Sequence, residues 1–398
     1  MVSMTKYLKG LNSSILVFIA LFISVLFSNR ITAQERVIST GVPFLLITPD
    51  ARAAGMGEQG VATSVDAFSQ QWNPSKYVFS ESKSGFGVSY TPYLSKLVND
   101  IFLANITYFN KNTDRSAWAA SLKYFSLGDI VLNDLVAGSI IQQGVERPNE
   151  LTLDFSYSLL LDTKFSMAVA ARFIRSDLKI SSDIDASSAN TLGVDIAGFY
   201  KSDLFDFQNN KARLRLGFNI SNIGPRLKYD EGGQKNFIPT NLRIGSGLNV
   251  HLDSNNKISF NLEFNKLLVP SPIAVFDENT GEILSYQQPD ISFLSGILES
   301  FNDAPDGLSE ELKEITWGLG TEYDFQDSFA LRGGYFNESL EKGSRRYFTL
   351  GAGFSLNFAS IDISYLFSTS KVRNPLENTL RFSITFDLYG SEDAQMDD

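Results

Sequence analysis

A chain of 398 residues with no cysteine, a single histidine and a formal net charge of -11 narrows the chemistry before any motif is read. The missing cysteines exclude disulfides, thiolate metal sites and thiol catalysis, and His251 alone cannot supply most metal or triad schemes. The acidic balance argues against duplex nucleic acid as a partner, because that binding rests on neutralising phosphates with Lys and Arg. A hydrophobic content of 43% suits a soluble globule and equally a membrane barrel, in which only alternate residues face lipid.

At the amino end, Lys6 and Lys9 precede the apolar run Ile15 to Phe27, and Ile31-Thr32-Ala33 closes it with a small residue. That order predicts a secretory signal peptide over 1–33, with the mature chain starting near Gln34. The run falls short of the roughly twenty residues that a spanning helix needs. Residues 34–84 then hold GMGEQG at 55–60, which matches the G-x-G-x-x-G fingerprint of dinucleotide binding. An apolar run, Val42 to Ile47, lies upstream, and Glu81 stands where a ribose-binding acid would. Several residues separate Ile47 from Gly55, however, so no strand feeds the glycines and no βαβ unit follows. Small residues from Ala51 to Ala62 suit short helices packed tightly on another surface, and Asn73-Pro74 ends the stretch with a turn. The expectation is a hatch or plug over 34–84, with the glycines as close-packing positions and no cofactor.

Beyond residue 84 a period of two recurs. In LTLDFSYSL, Leu151, Leu153, Phe155, Tyr157 and Leu159 alternate with Thr152, Asp154, Ser156 and Ser158, and RLRLGFNIS and TLRFSITFDLY follow the same grammar. About fourteen such segments stand out, near 85–94, 101–110, 117–127, 151–160, 165–176, 190–200, 212–221, 241–251, 257–265, 314–325, 328–338, 346–357, 359–369 and 378–389. Each has the roughly nine to twelve residues that a tilted strand needs to cross a bilayer. Gaps after odd-numbered segments are about 6, 23, 13, 19, 48, 7 and 8 residues; those after even-numbered ones are about 6, 4, 11, 5, 2 and 1, the alternation of long loops and short turns expected of an outer-membrane barrel. Tyr108, Trp118, Tyr124, Tyr157, Tyr200, Trp317, Tyr323, Tyr335, Tyr365 and Tyr389 are candidates for its aromatic girdles. The predicted fold is therefore all-β: an antiparallel barrel of fourteen transmembrane strands over 85–389, long loops on the extracellular side, and an acidic tail at 390–398.

Charges of both signs share the lumen parity: Lys123, Asp154, Asp195, Arg213, Arg215, Arg243, Glu263, Glu322, Arg332, Asp362, Arg381 and Asp387. Mutual neutralisation is the first reading and a transport path the second. Across the short turn at 326–327, Glu322 and Arg332 are expected to form a lumenal ion pair. No carboxylate pair or G-x-S-x-G elbow announces catalysis, and GSGL at 245–248 lacks that pattern, so no catalytic, cofactor-binding or metal residue is assigned. The loop from about 266 to 313 is long enough to demand a role. Phe293, Leu294, Ile297, Leu298 and Phe301 recur there at helical spacing, and GLSEELKEI adds a second short helical piece. Such a helix either caps the barrel or docks on another protein; Phe293, Leu294, Ile297 and Phe301 are the candidate partner anchors.

Three segments, TPDARAAGMGEQGVATSVDAFSQQWNP, YTPYLSKLVNDIFLA and FNDAPDGLSEELKEI, resemble hallmark stretches of the PorV (LptO) family, outer-membrane components of the type IX secretion system. The resemblance covers essentially the whole chain. It implies a barrel similar to the FadL type, with an amino-terminal hatch, and a non-enzymatic role in protein export. Partners implied are the SprA (Sov) translocon barrel, the C-terminal signal domains of secreted cargo, the PorU sortase attachment complex and outer-membrane lipids. The competing expectation is a FadL-like channel for a small hydrophobic ligand, which a continuous apolar tunnel would favour; the lumen-parity charges predict a polar, obstructed interior instead.

Overall fold

The computed structural model describes residues 37–388 apart from 137–138, 180–186, 231–232, 278–279, 282, 357, 371–374 and 378. The expected signal peptide, the tail at 390–398 and the girdle candidate Tyr389 lie outside the described residues. In chain order the strands are β1 (Ser84–Pro92), β2 (Ile101–Thr113), β3 (Ser116–Leu127), β4 (Ile130–Val136), β5 (Ser139–Glu146), β6 (Asn149–Asp162), β7 (Phe165–Asp177), β8 (Ala189–Lys201), β9 (Phe205–Phe207) and β10 (Asn210–Ile223). They continue as β11 (Asn241–His251), β12 (Asn256–Leu267), β13 (Ile273–Phe276), β14 (Ile283–Gln287), β15 (Thr316–Phe325), β16 (Phe329–Asn337), β17 (Arg346–Leu356), β18 (Ala359–Ser368) and β19 (Leu380–Asp387).

Fourteen of these close an antiparallel barrel, in which every neighbour is the next long strand in sequence. The seam joins the first to the last, with Gly85 opposite Asp387 and Tyr90 opposite Phe382. Two hairpins stand apart from the wall in sheets of their own, β4 with β5 and β13 with β14, and β9 merely extends the turn before β10. Both hairpins fall inside segments that the sequence reads only as long loops. One mouth of the barrel carries the long connections and the other the short turns. Among the described residues no helix is long and apolar enough to cross a membrane.

Parity sorts the wall. On β6, Leu153 is 48% exposed, Phe155 53% and Tyr157 49%, whereas Thr152 is 0%, Asp154 4% and Ser156 1%. The oily face looks outward and the polar face into the lumen, as the alternation requires. Aromatics gather at both ends of the strands: Trp118 packs between Tyr108 and Phe155 near the short turns, and Tyr335 between Trp317 and Phe348 near the long loops.

Residues 37–83 lie inside this wall. The apolar run at 42–47 is not a strand: Pro43–Leu46 forms a 3-10 turn, followed by helix α1 (Ala51–Gly55), helix α2 (Ser69–Trp72) and a second 3-10 segment, Pro74–Phe79. Asp50 caps α1, its carboxylate accepting the Ala53 N–H at 2.8 Å. Near the long-loop mouth Val42, Phe44 and Leu45 pack on the inward Leu103, Phe125 and Ile174. Near the short turns Tyr77 and Val78 pack on Phe109, Ala117 and Ala119. Apolar contacts thus hold both ends of the segment, and the layer between them is polar.

Candidate functional site: a filled lumen beneath an apolar crown

The glycine hexamer sits in that middle layer and its order is the reverse of a dinucleotide fold. Helix α1 ends at Gly55, so the glycines follow a helix C-terminus instead of opening an N-terminus. Their use is contact with the wall. A Cβ on Gly55 would stand 3.0 Å from Gly351 Cα. Gly57, at a φ of +75°, turns the chain where a side chain would strike the carbonyl oxygens of Leu319 and Tyr335, both at 2.9 Å. From the wall side, a Cβ on Gly334 would lie 2.2 Å from the Gly57 nitrogen.

Polar groups of the strands satisfy the backbone of the inserted segment. The Ala51 N–H donates to Ser383 Oγ at 2.7 Å, the Gly57 N–H to Thr349 Oγ1 at 2.9 Å, and the Gly60 and Val61 N–H groups share Glu263 Oε2 at 2.9 Å each. Asn73 donates to the carbonyl of Gly198 at 3.0 Å, and Asn219 to that of Trp72 at 2.8 Å. The Trp72 indole donates to Asp50 at 2.7 Å while the Arg243 guanidinium lies 4.8 Å above its ring. A buried backbone has to find such partners, and here the barrel interior provides them.

Glu322 and Arg332 face each other across β15 and β16 and pair at 2.6 Å. The pair is part of a chain: Arg52 of α1 reaches Glu322 at 2.8 Å and Asp66 at 2.8 Å, and Arg332 continues to Asp362 at 2.5 Å. Arg52 is invisible to a parity argument because it lies outside the strands. A second buried group centres on Arg172, which meets Asp154, Asp195 at 3.1 Å and the side-chain oxygen of Asn222. Arg172 holds the inward parity on β7 and could have been found from it. Asn222 occupies a bulge where β8 and β10 shift register, at a φ of +60°. Alternating charges held this closely neutralise one another.

Beside the inserted segment a cavity of about 580 Å³ opens among the strand ends, lined by Trp72, Tyr93, Arg243, Phe336, Tyr347 and Leu376 together with residues 37–40, 43 and 46–48. Its rim cation Arg345 is bidentate to Glu338 at 2.8 and 2.9 Å. Trp72 and Glu58 of the inserted segment form part of its lining, so that segment stands between this cavity and the short-turn mouth. His251 ends β11 at the opposite mouth, paired across the sheet with Lys257.

The long-loop mouth carries a crown of different character. Helix α3 (Phe293–Glu299) is capped by Ser292, whose hydroxyl accepts the Ser295 N–H at 3.1 Å, and it rests on Phe237 and Pro270 through Gly296. Phe293 and Ile297 are half-buried; Leu294 and Phe301 point to solvent, and so does Leu298, which is 75% exposed. Helix α4 (Leu308–Lys313) has its faces inverted. Leu308 and Leu312 lie in solvent while Glu310 and Glu311 are buried, the reverse of an ordinary surface helix. Lys266 holds Glu311 and Glu314 at 2.9 and 2.8 Å, and Lys342 holds Glu310 and Glu314 at 2.6 and 3.1 Å. Carboxylate oxygens of Asp303, Glu311 and Glu314 come within 4.8 Å of one another, yet the two lysines already supply the positive charge that a cation would bring. For Glu311, burial works against ionisation, but the Ala304 and Asp303 N–H groups and the Lys266 ammonium outweigh it and hold the carboxyl below the usual glutamate range. Leu298, Leu308 and Leu312 were not among the anchors chosen from the sequence, although Leu294 and Leu298, like Leu308 and Leu312, stand four apart on one helical face.

Among solved structures, the toluene transporter TodX of P. putida aligns with a TM-score of 0.52 at 12% identity, covering 85% of this chain and 98% of that one. A TodX mutant described as a monoaromatic hydrocarbon channel gives 0.50 at 12% identity, covering 86% and 99%. A Pseudomonas aeruginosa FadL homologue gives 0.45 at 11%, covering 89% and 100%. At such identities the first two likenesses establish the fold and nothing more. No curated protein sequence matches the chain. The family model described as type IX secretion system protein PorV matches residues 30–274, more than half of the chain. The chain, an outer-membrane β-barrel, therefore belongs to the PorV family of type IX secretion system proteins.

Proposed function

We propose that this barrel is a non-enzymatic receiving protein of type IX secretion, anchored in the outer membrane with its long loops outside the cell. Its crown binds the translocon barrel of the SprA (Sov) type and the C-terminal signal domains of emerging cargo, and hands that cargo to the PorU attachment complex. The observation that carries this reading is the inverted helix α4, which keeps its acids inside and turns Leu308 and Leu312 outward, beside an α3 that does the same with Leu294 and Leu298. Apolar side chains left in water over several turns mark an interaction surface. Passage of a small hydrophobic ligand fits the interior poorly, because the inserted segment hydrogen-bonds the wall on several sides and buries charged networks where a conduit needs an open apolar track.

Replacing Leu298→Glu together with Leu308→Glu tests the reading. Both residues are solvent-exposed, so the barrel should still insert and still shift on a gel when heated, with stability changed by no more than about 0.5 kcal/mol. Pull-down of translocon and cargo signal domains from native membranes should fall at least about tenfold, the loss of one or two anchor contacts. Undiminished capture of both partners by the doubly substituted, correctly inserted barrel would remove the crown from the account.

A further inference from the structure

Arginines inside the barrel are matched with acids, except on one strand. Arg52 reaches Glu322 and Asp66, Arg172 reaches Asp154 and Asp195, Arg332 reaches Glu322, Arg381 reaches Glu58, and even Arg243 stands 3.9 Å from Glu263. Arg213 and Arg215 of β10 hold the inward parity near the short-turn mouth, and neither joins an ion pair among the described residues. Their Nε atoms are both buried without an acceptor. Arg215, 3% exposed, donates to the Asn261 side-chain oxygen at 3.1 Å, and Gly247 faces it across β10 and β11, where a Cβ would lie 2.7 Å from the guanidinium. Lys201 of β8 stands directly opposite Arg215 in the ladder, and its ammonium lies 5.6 Å above the Phe79 ring, not against a carboxylate. The strongest charges acting on Lys201 are Arg213, Glu81, Arg215 and Lys111, three cations against one acid. Glu322, the carboxylate that acts on Arg215, is already held by Arg52 and Arg332. Cations on the outer rim of the same mouth differ: Lys164, Lys211 and Lys257 pair with Asp203, Asp206 and Asp327. Like charges directly opposite one another weaken a sheet, and gathered in a sheltered mouth they call for an anion.

Two residues along a strand advance about 7 Å and neighbouring strands lie about 5 Å apart, so these three long side chains start within reach of a single oxyanion. Their charge sum exceeds what one carboxylate can balance. A phosphate group brings up to two negative charges and several acceptor oxygens, and the planar fork of a guanidinium matches its geometry. We propose that Lys201, Arg213 and Arg215 form a binding site for a phosphate group, entered from the short-turn mouth and carried either by free phosphate or by a phosphomonoester lipid headgroup. The Nε–H groups of both arginines supply donors that the described residues leave without acceptors, and Lys201 supplies an ammonium from the neighbouring strand. The Lys111 ammonium, tied to the Ser80 carbonyl at 2.7 Å, adds to the field from β2. In a protein whose overall charge is -11, a local excess of cations does not follow from composition. The site lies at the mouth away from the crown and does not depend on what the crown binds.

The test titrates the full chain, purified in detergent and phosphate-free buffer, with inorganic phosphate, with dihexanoyl phosphatidic acid, and with acetate at matched ionic strength, read by phosphorus NMR and by the thermal midpoint. A phosphate compound should bind and raise the midpoint where acetate does not. Tighter binding of the phosphatidic acid supports the site and identifies a headgroup as its source; binding of inorganic phosphate as tight or tighter supports it with the free ion. Arg213→Gln and Lys201→Gln should each weaken that binding at least about tenfold, the loss of one charged donor. Lys257→Gln, on the outer rim and paired with Asp327, should leave it unchanged. A second measurement separates ligand binding from a structural role. Without ligand, Arg213→Gln removes one of several repelling charges, so its midpoint should equal or exceed that of the parent chain, whereas loss of a structural contact would lower it. Equal action by acetate, affinity indifferent to both substitutions, or a lowered ligand-free midpoint for Arg213→Gln overturns the proposal. Binding of a hexaglutamate peptide where neither phosphate compound binds would assign the mouth to an acidic protein segment, and overturns it as well.

Discussion

The lumen and the crown are built on the same strands and obey opposite rules. In the lumen polar groups of the inserted segment meet partners from the wall on several sides, and glycine faces glycine where backbones touch, as at Gly55 and Gly351. In the crown the acids turn inward onto lysines and the leucines are left in water. One region is bound up within this chain, and the other leaves apolar side chains in solvent. A barrel meant to pass solutes would invert that arrangement, with a yielding interior and a quiet surface. The contrast assigns stability to the lumen and recognition to the crown, so changes in the two regions should separate cleanly.

The largest expected effect comes from crowding the contact between the inserted segment and the wall. Gly334→Val would drive a side chain into the backbone of Met56 and Gly57, which have no room to retreat. Overpacking of this kind costs about 3 kcal/mol or more when backbone must move, and the heat-modifiable folded band should be largely lost. Next is Arg52→Ala, which leaves Glu322 and Asp66 without their shared cation. Removing one partner of a buried ion group costs about 3–5 kcal/mol, read as a lower denaturation midpoint with capture of partners unchanged in the fraction that remains folded. If Arg52→Ala instead abolished capture while the midpoint held, the division between the two regions would be wrong. The smallest effect is in the crown. Because the folded-state pKa of Glu311 is depressed, the order it gives to the turn at 303–304 is present above the ordinary glutamate range and is lost as pH falls through the lowered value. Hydrogen exchange at the Asp303 and Ala304 amides should therefore stay slow at neutral pH and accelerate only in acid below that range, while the strand amides remain protected.

Much of the wall was legible because its physics is periodic. Each predicted segment from 85–94 to 378–389 meets an observed strand, with ends displaced by a few residues, since alternation and bilayer thickness fix the middle of a strand but not where it frays. The hairpins β4–β5 and β13–β14 escaped, although Ile130–Val136 and Ile283–Gln287 are rich in β-formers, because a long gap between barrel strands carries no requirement on its own structure. Glu322 and Arg332 could be paired from register alone; Arg52 could not, since nothing in ARAAG says which strand its helix will meet. Which residues of that helix face solvent was legible only in part, for a similar reason. Helical spacing identifies a face, but whether Phe293 or Leu298 looks outward depends on Gly296 lying against Phe237, a contact far away in sequence.

One feature of the wall bears on how the molecule is made. Because β1 hydrogen-bonds to β19, the cylinder has no complete circumference until the final strand has been delivered. Residues 37–83, first of the described chain to leave the translation and export machinery, end up enclosed by strands that arrive after them. The seam between β1 and β19 joins the first strand of the wall to its last, so the carboxyl-terminal strand acts as the clasp of the cylinder. Slow seating would hold the open edges of β1 and β19 exposed to other chains, so a helper that guards those two edges would govern yield more than one that hastens strand pairing elsewhere.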